Sequence, residues 1–375
     1  MRFRVKRELL TEAVTWGTRC AVARPVTPAL GGALLSLTGG EFTVASLDGE
    51  SSARITVAVE AGVDGAALVS ARLLVEITKA LPDQAIDVEL TAGVLRLRCG
   101  AGRFGLPTMP AEEYPRRPEL RSSTGTVDPA VFGAAVAQVA VAASREESLP
   151  ILTCVRVAVE GSRMTLLASD RYRVSRCELP WQPADPKRTG EYLVAARPLL
   201  EAARAFAPIP AELAIVVDDD AFGGGTIGFT AAGRQLTARL FEGTFPPMGR
   251  LIDAPRPAAV TASAAELTEV VKRVALFADR LTPVVLRLEP GALTVEARGA
   301  QDAEASETIE ADYTGRPTTL AFNETYLLDG LRAVGGPAVT LSFDDPHKPV
   351  SLSPRGASGS AYVLQPVRVK DQLTE

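Results

Sequence analysis

The feature that most limits what this chain can fold into is a repeat. The stretch Arg24–Ile55, RPVTPALGGALLSLTGGEFTVASLDGESSARI, is written again at Ser148–Cys177 and at Arg280–Ile309. All three copies share a proline, an alternating apolar run, a glycine turn (Gly39-Gly40, Gly161, Gly291), and then x-[FML]-T-[VL]. The threonine of that motif is Thr43, Thr165 and Thr294, so the period is about 125 residues, a third of the 375-residue chain. One module is written three times, and each copy is long enough for its own core, since domains of about 100–150 residues are the commonest size.

Composition supports folded modules. Hydrophobic residues make up 46% but aromatics only 5%, so Ala, Val and Leu must build the cores. The formal net charge of −5 argues weakly against nucleic acid, yet the placement of the 40 basic residues counts for more than their sum. Cys20, Cys99, Cys154 and Cys177 form no C-x-x-C pair and the sole histidine is His347, which makes a zinc site a poor reading. Scattered thiols suit a reducing compartment, and no run of 18 apolar residues occurs, so a cytoplasmic, non-membrane protein is expected.

The periodicity predicts a helix over Val5–Ala23, a hairpin of Ala33–Leu37 and Glu41–Ser46, and a strand Ser52–Glu60. A second helix is predicted over Ser70–Leu81, capped by Ser70 and stopped by Pro82, before strands Ala85–Leu90, Val94–Cys99 and Arg103–Pro107. The same order follows Pro129, with helices to about Ser144 and over Ala196–Ala207, and again from Ala264, with a helix Asn323–Val334 stopped by Gly335-Gly336. Pro/Arg-rich stretches separate the copies, giving domains 1–120, 121–250 and 251–375. The fold class is α+β: three tandem copies of a doubled helix-plus-antiparallel-sheet domain, each helix covering a sheet face. Near-equal units with one fixed turn between neighbours curve, and the arc closes alone or with a second copy.

Aligned by their leucines, the second helices ARLLVEITKAL, ARPLLEAARAF and ETYLLDGLRAV place Lys79, Arg204 and Arg332 at one position. Seven residues earlier, two turns back on the same face, stand Arg72 and Arg197. Lys6, Arg7, Arg19, Lys272 and Arg273 add to the first helices. One such helix is an ordinary solvated face; the same placement in successive copies points to a shared cationic surface. Such a surface suits phosphate backbone rather than base edges, with salt-sensitive, sequence-independent binding.

Arg24-Pro25-x-x-Pro28, Asp170-Arg171-Tyr172-Arg173-Val174, Phe245-Pro246 with Arg250-Leu251, and the ending from Tyr362 to Val369 together resemble the β subunit of bacterial DNA polymerase III, the sliding clamp, over residues 1–369. The resemblance implies a DNA clamp fold, ring-forming with pseudo-sixfold symmetry in a head-to-tail homodimer around double-stranded DNA. It implies no catalytic residues, no metal and no cofactor. It implies DNA-facing roles for Arg24, Arg72, Lys79, Arg197 and Arg204. A partner-peptide pocket is implied at Leu152, Ser169, Arg171, Tyr172, Arg173 and Val174, with Pro246, Met248, Arg250 and Leu251, and with Val363, Gln365, Pro366, Val367, Arg368 and Val369. Its expected occupants are short segments of the polymerase III catalytic subunit, the clamp loader and other proteins carrying a clamp-binding motif. The subunit contact is implied at Ile77, Phe104 and Leu106 against Leu276 and Phe277. A scaffold of the same fold that does not encircle DNA is the second reading.

Two departures stand out. Family members usually carry an apolar residue where Gln365 stands and often an aromatic where Met248 stands, and the chain continues past Val369 to Glu375. A glutamine lacking partners in an apolar trough would cost on the order of 1–3 kcal/mol of affinity for apolar anchors, so a variant clamp with altered inhibitor binding is expected. Enzyme motifs are lacking. Ala221–Gly228 is Gly-rich but has no G-K-[ST], Asp218-Asp219-Asp220 reads as a solvated turn rather than a metal site, and Asp344–His347 reads as a loop.

Overall fold

The computed structural model describes residues 1–60, 62–116, 119–218, 224–279, 282–300, 303–355 and 359–368. Asp219, Asp220, the opening of the Gly-rich run, Arg280, Val369 and the tail to Glu375 lie outside the described residues.

The first copy runs β1 (Arg2–Lys6), α1 (Arg7–Gly17), β2 (Gly32–Thr38), β3 (Glu41–Leu47), β4 (Ser51–Ala58), β5 (Gly65–Ser70), α2 (Ala71–Ala80), β6 (Ala85–Thr91), β7 (Val94–Cys99) and β8 (Gly102–Met109). The second runs β9 (Gly125–Val127), α3 (Pro129–Ala140), β10 (Cys154–Glu160), β11 (Arg163–Ser169), β12 (Arg173–Pro180), a two-residue β13 (Gln182–Pro183), β14 (Thr189–Ala195), α4 (Ala196–Phe206), β15 (Leu213–Asp218), β16 (Thr226–Ala231) and β17 (Arg234–Phe241). A single-turn α5 (Gly249–Ile252) precedes the third: β18 (Ala258–Ser263), α6 (Ala264–Ala275), β19 (Val284–Glu289), β20 (Ala292–Arg298), β21 (Glu304–Asp312), β22 (Thr318–Phe322), α7 (Glu324–Val334), β23 (Ala338–Phe343), β24 (Val350–Pro354) and β25 (Ser360–Leu364).

Two expectations are corrected. Residues 2–6 form a strand, not the start of a helix, so Lys6 sits on β1 and α1 ends at Gly17 rather than Ala23. A further strand precedes each second helix and runs into it without a loop: Ser70 ends β5 and caps α2, its Oγ accepting from the Leu73 amide. Asn323 caps α7 in the same way, accepting from the Tyr326 amide at 3.0 Å, and Gly335 (φ 64°) ends that helix in a conformation suited to glycine.

The recurring threonines are cross-strand partners. Thr43 lies opposite Thr56 and Thr294 opposite Thr308, each pair sharing a 2.9 Å hydroxyl contact, while Thr165 faces Glu178. These pairs pin the hairpin register, because a one-residue slip would turn the apolar side chains outward.

Chain contacts divide the protein into two compact units: residues 1–129 with 182–185 and 204–240, and residues 130–181 with 186–203 and the chain from 241 on. In the first, antiparallel ladders run β1–β6–β7–β8–β5–β2–β3–β4–β17–β16–β15–β9–β13. In the second they run β14–β10–β11–β12–β25–β24–β23–β18–β21–β20–β19–β22. The units therefore cut across the second repeat. Its last strand, β17, pairs with β4 of the first repeat, and its own β12 pairs with β25 of the third. One kind of join occurs twice, and each repeat is sealed to the next by backbone hydrogen bonds rather than by a linker.

The helices bury one stripe each. Leu10, Ala13, Val14 and Trp16 of α1 are inside, Trp16 meeting the Phe206 ring edge-on at 5.1 Å. Gly17 is required: a β-carbon there would sit 2.5 Å from Val44. No described helix is long and apolar enough to cross a membrane.

Candidate functional site

The β12–β25 join carries the implied pocket, and its floor is a single buried cluster. Leu152, Cys154, Leu167, Val174, Leu193, Phe245, Ile252 and Val363 pack together, with Met248 and Leu251 half-buried against them. Val174 and Val363 are opposite each other in the ladder, so two valines close the seam beneath the trough. Burial pushes the Cys154 thiol up to about 11, which leaves it protonated and inert as part of the floor.

The rim is built by the turn between β11 and β12. Ser169, fully buried, donates its hydroxyl to the Arg173 carbonyl at 2.9 Å. Asp170 accepts from the amides of Tyr172 (3.1 Å) and Arg173 (3.0 Å). Arg171 is forced to φ 79°, a left-handed conformation; the matching residue of the first repeat, Gly49, has φ 99°. Holding an arginine there costs about 1–2 kcal/mol, and it presents Arg171 and Tyr172 outward, both about half exposed. Arg171 pairs with Glu146 at 3.3 Å and lies over the Tyr172 ring.

Arg173 does the opposite. Its side chain is 5% exposed, with Nε donating to Asp170 (2.9 Å) and Nη1 to Asp329 (2.8 Å) and to the Tyr362 hydroxyl (3.2 Å). It also lies 4.3 Å over the Tyr326 ring. Burial is the largest influence on this guanidinium and opposes its charge, but Tyr362, Asp329 and Asp170 outweigh it and hold it above the usual arginine range. Tyr362 donates in turn to the Tyr326 carbonyl at 2.8 Å, and α7 approaches that ring so closely that a β-carbon on Gly330 would come within 2.5 Å of it. Arg173 is thus a positioning residue beneath the trough rather than part of its lining.

The remaining wall is the α5 segment and the C-terminal strand. Pro246 is half-buried and Arg250 exposed. Arg256 fastens the segment by donating to the carbonyls of Leu251 (2.6 Å), Ile252 (3.0 Å) and Pro349 (3.1 Å). Past β25, Pro366 is buried, and Gln365, Val367 and Arg368 are exposed. The Gln365 amide nitrogen donates to the His347 carbonyl at 3.1 Å, which supplies a hydrogen-bond partner of the kind a glutamine at this edge needs. Val369 lies outside the described residues. Sequence reasoning missed Asp329, Tyr326, Ile252 and Arg256, and quoted Asp170 and Phe245 for the family likeness without assigning them to the pocket. The signal for Asp170 was present in the aligned Asp48-Gly49 and Asp170-Arg171.

The five residues of the proposed DNA face, Arg24, Arg72, Lys79, Arg197 and Arg204, are all exposed. On α2 the buried side chains are Ala71, Leu74 and Thr78, so Arg72 and Lys79 share the opposite face. On α4 Arg197 and Arg204 are likewise exposed while Leu199, Ala203 and Phe206 are buried. Each row holds a carboxylate that sequence reading passed over: Glu76, paired with Arg72 at 3.1 Å, and Glu201. In α7 the basic position is Arg332, 3.8 Å from Asp329. Lys272 and Arg273 are paired with Glu269 and Glu307 and contribute little free charge. Of the residues at which the resemblance implies a subunit contact, Leu276, Phe277 and Phe104 are exposed, Ile77 is half-buried, and Leu106 is fully buried and belongs to the core. Asp218 pairs with Arg121 at 3.2 Å, and among the described residues no group of acidic, His or Cys side chains is placed to hold a metal.

Three copies of a doubled helix-and-sheet unit, sealed by one recurring edge ladder and bearing an apolar trough at one seal, define a DNA clamp fold. Three family models match in succession: the DNA polymerase III beta subunit N-terminal domain at residues 1–118, the central domain at 126–247 and the C-terminal domain at 250–368. The beta sliding clamp of Streptomyces coelicolor is 40% identical over 375 residues, covering 98% of this chain and 100% of that protein. A Streptomyces muensis protein named beta sliding clamp homolog GriR is 34% identical, covering 98% of this chain and 99% of that one. The crystal structure of the DNA polymerase III subunit beta from Pseudomonas aeruginosa superimposes with a TM-score of 0.92 at 26% identity, covering 98% of this chain and 100% of that one; a sliding clamp from the same organism solved bound to griselimycin gives 0.91. The chain belongs to the DNA polymerase III beta subunit family, the bacterial sliding clamps of DNA replication.

Proposed function

We propose that this clamp works as a head-to-tail homodimer that encircles duplex DNA and tethers the replicative polymerase, the clamp loader and other partners through the β12–β25 trough, with no catalysis of its own. The observation that carries the reading is the recurring join. Phe104, Leu236 and Tyr362 occupy one ladder position in the three repeats, and Ala53, Ser175 and Ala305 another. Leu236 pairs with Ala53, and Tyr362 with Ser175. Phe104 on β8 and Ala305 on β21 are the remaining pair, and a second copy joined in the same register satisfies both edges. Phe104, Leu276 and Phe277 then become the apolar part of that seam, with Arg103 on the same sheet face as Glu304. The exposed basic residues of α2 and α4 supply phosphate contacts.

The test is topological. Light scattering should give twice the 39.5 kDa chain mass, and loaded protein should stay on nicked circular DNA yet leave once the circle is linearised. A monomer, or equal retention on both DNA forms, would favour the scaffold that does not encircle DNA.

The trough takes short segments with apolar anchors, guided by Arg171, Arg250 and the rim carbonyls. Gln365 gives it a polar edge, and we propose that this edge, with the residues after Val369, lowers affinity for inhibitors of the griselimycin kind. Gln365→Met combined with removal of residues 370–375 is expected to tighten griselimycin about tenfold, the equivalent of 1.4 kcal/mol, in a calorimetric titration. Unchanged affinity would remove the resistance reading and leave the clamp reading intact.

A further inference from the structure

The repeat makes a second cleft. The β4–β17 join has the same register as the β12–β25 join: Ser52 faces Thr237 where Val174 faces Val363. The Arg239 amide donates to the Glu50 carbonyl (2.9 Å) as the Gln365 amide donates to the Tyr172 carbonyl (2.8 Å). Tyr114, buried, stands before Pro115 as Phe245 stands before Pro246. A cavity of about 160 Å³ opens at this place, lined by Glu50, Ser52, Arg116, Thr226, Thr237 and Arg239. That is room for roughly five waters at about 30 Å³ each, or one short side chain.

Its chemistry is more polar than that of the trough, although Leu47 and Pro115 also line it. The two valines are replaced by hydroxyls, Ser52 and Thr237, buried and 2.7 Å apart. Thr226 adds a third buried hydroxyl. The place of Gln365 is taken by Arg239, exposed and, among the described residues, without an ion pair within 4 Å, and Arg116, exposed likewise, also lines the cavity. An apolar anchor would leave the guanidinium groups of Arg116 and Arg239 unused, whereas a carboxylate meets those charges and nearby hydroxyl donors. Glu50 and the hydroxyl oxygens are left to accept from amide N–H groups. Among the described residues no aromatic side chain lines the cavity to stack a base.

We propose that the β4–β17 join is a second peptide-binding cleft, selective for an acidic segment of a partner protein whose aspartate or glutamate enters between Arg116 and Arg239. The inference rests on reading the β12–β25 trough as a peptide site, and the test separates the two. A fluorescein-labelled pentapeptide of alternating aspartate and glycine is titrated into the full-length clamp by fluorescence polarisation, beside the asparagine counterpart and an apolar-anchored peptide. The aspartate peptide should bind at least about tenfold more tightly than the asparagine one, as a charge-assisted contact requires. Arg239→Ser and Arg116→Ser should each weaken it severalfold. Ser52→Val with Thr237→Val, which alters no charge and copies a pairing the second join already tolerates, should weaken it too. All these variants should bind the apolar-anchored peptide unchanged, with unaltered melting temperatures. Equal binding of the aspartate and asparagine peptides, indifference to the arginine variants, or tighter binding of a thymidine oligonucleotide through the same arginines would overturn the proposal. Failure of the apolar-anchored peptide alone would overturn the trough reading instead.

Discussion

Arg173→Ala is expected to lower the unfolding free energy by about 3–5 kcal/mol, the usual cost of removing one partner from a buried ion pair. The side chain is enclosed, and its loss leaves Asp170 and Asp329 facing each other's charge with the Tyr362 hydroxyl short of a donor. Arg173→Lys should rescue little, because one ammonium cannot supply the fork that reaches both carboxylates and the phenol at once. Chemical denaturation followed by tryptophan fluorescence measures the loss. The functional readout is apolar-peptide affinity at a temperature where the variant stays folded. It should fall, because Asp170 and Tyr362 hold the turn and strand that wall the trough. A variant as stable as the parent would show that this network does not hold the join.

Phe104→Asp together with Leu276→Asp should convert the proposed dimer to monomers and abolish retention on nicked circles. Buried aromatic and aliphatic anchors contribute about 2 kcal/mol or more each, so the pair raises the dissociation constant roughly a thousandfold. Both side chains are exposed in the single chain, Leu276 at 83%, so monomer stability should be nearly unaffected. Sedimentation across a concentration series gives the constant. A double variant that still sediments as a dimer would place the subunit contact elsewhere than β8 and β21.

Local pattern carried much of the architecture. The threefold period, the hairpins over Gly39-Gly40 and Gly291, and the caps Ser70 and Asn323 were readable because each is a short-range rule of turn or capping chemistry. The strands that pass straight into helices were not. Lys6 to Arg7, Ser70 to Ala71 and Ala195 to Ala196 carry no glycine or proline break, so an apolar run there reads as extra helix or as nothing. The pairing of β4 with β17 was hidden as well: Ser52 and Thr237 meet across 185 positions, and alternation says only that a strand has two faces, not which strand it will find. At the trough, the family likeness pointed to residues at the surface and beneath it alike. Only burial separates Arg171 and Tyr172, which meet solvent, from Arg173, which the sequence writes in the same run of polar letters.

If the trough takes inhibitors as proposed, its placement on a sealing ladder limits how such a clamp can evade them. Val174, Val363 and Leu152 hold two repeats together as well as floor the trough, so substitutions there would weaken the molecule along with the drug's grip. On the proposed reading, escape with little penalty to replication is channelled to trough positions that do not hold the seam, Gln365 and Arg250 among them. Those are the codons at which selection under inhibitor should first leave its mark.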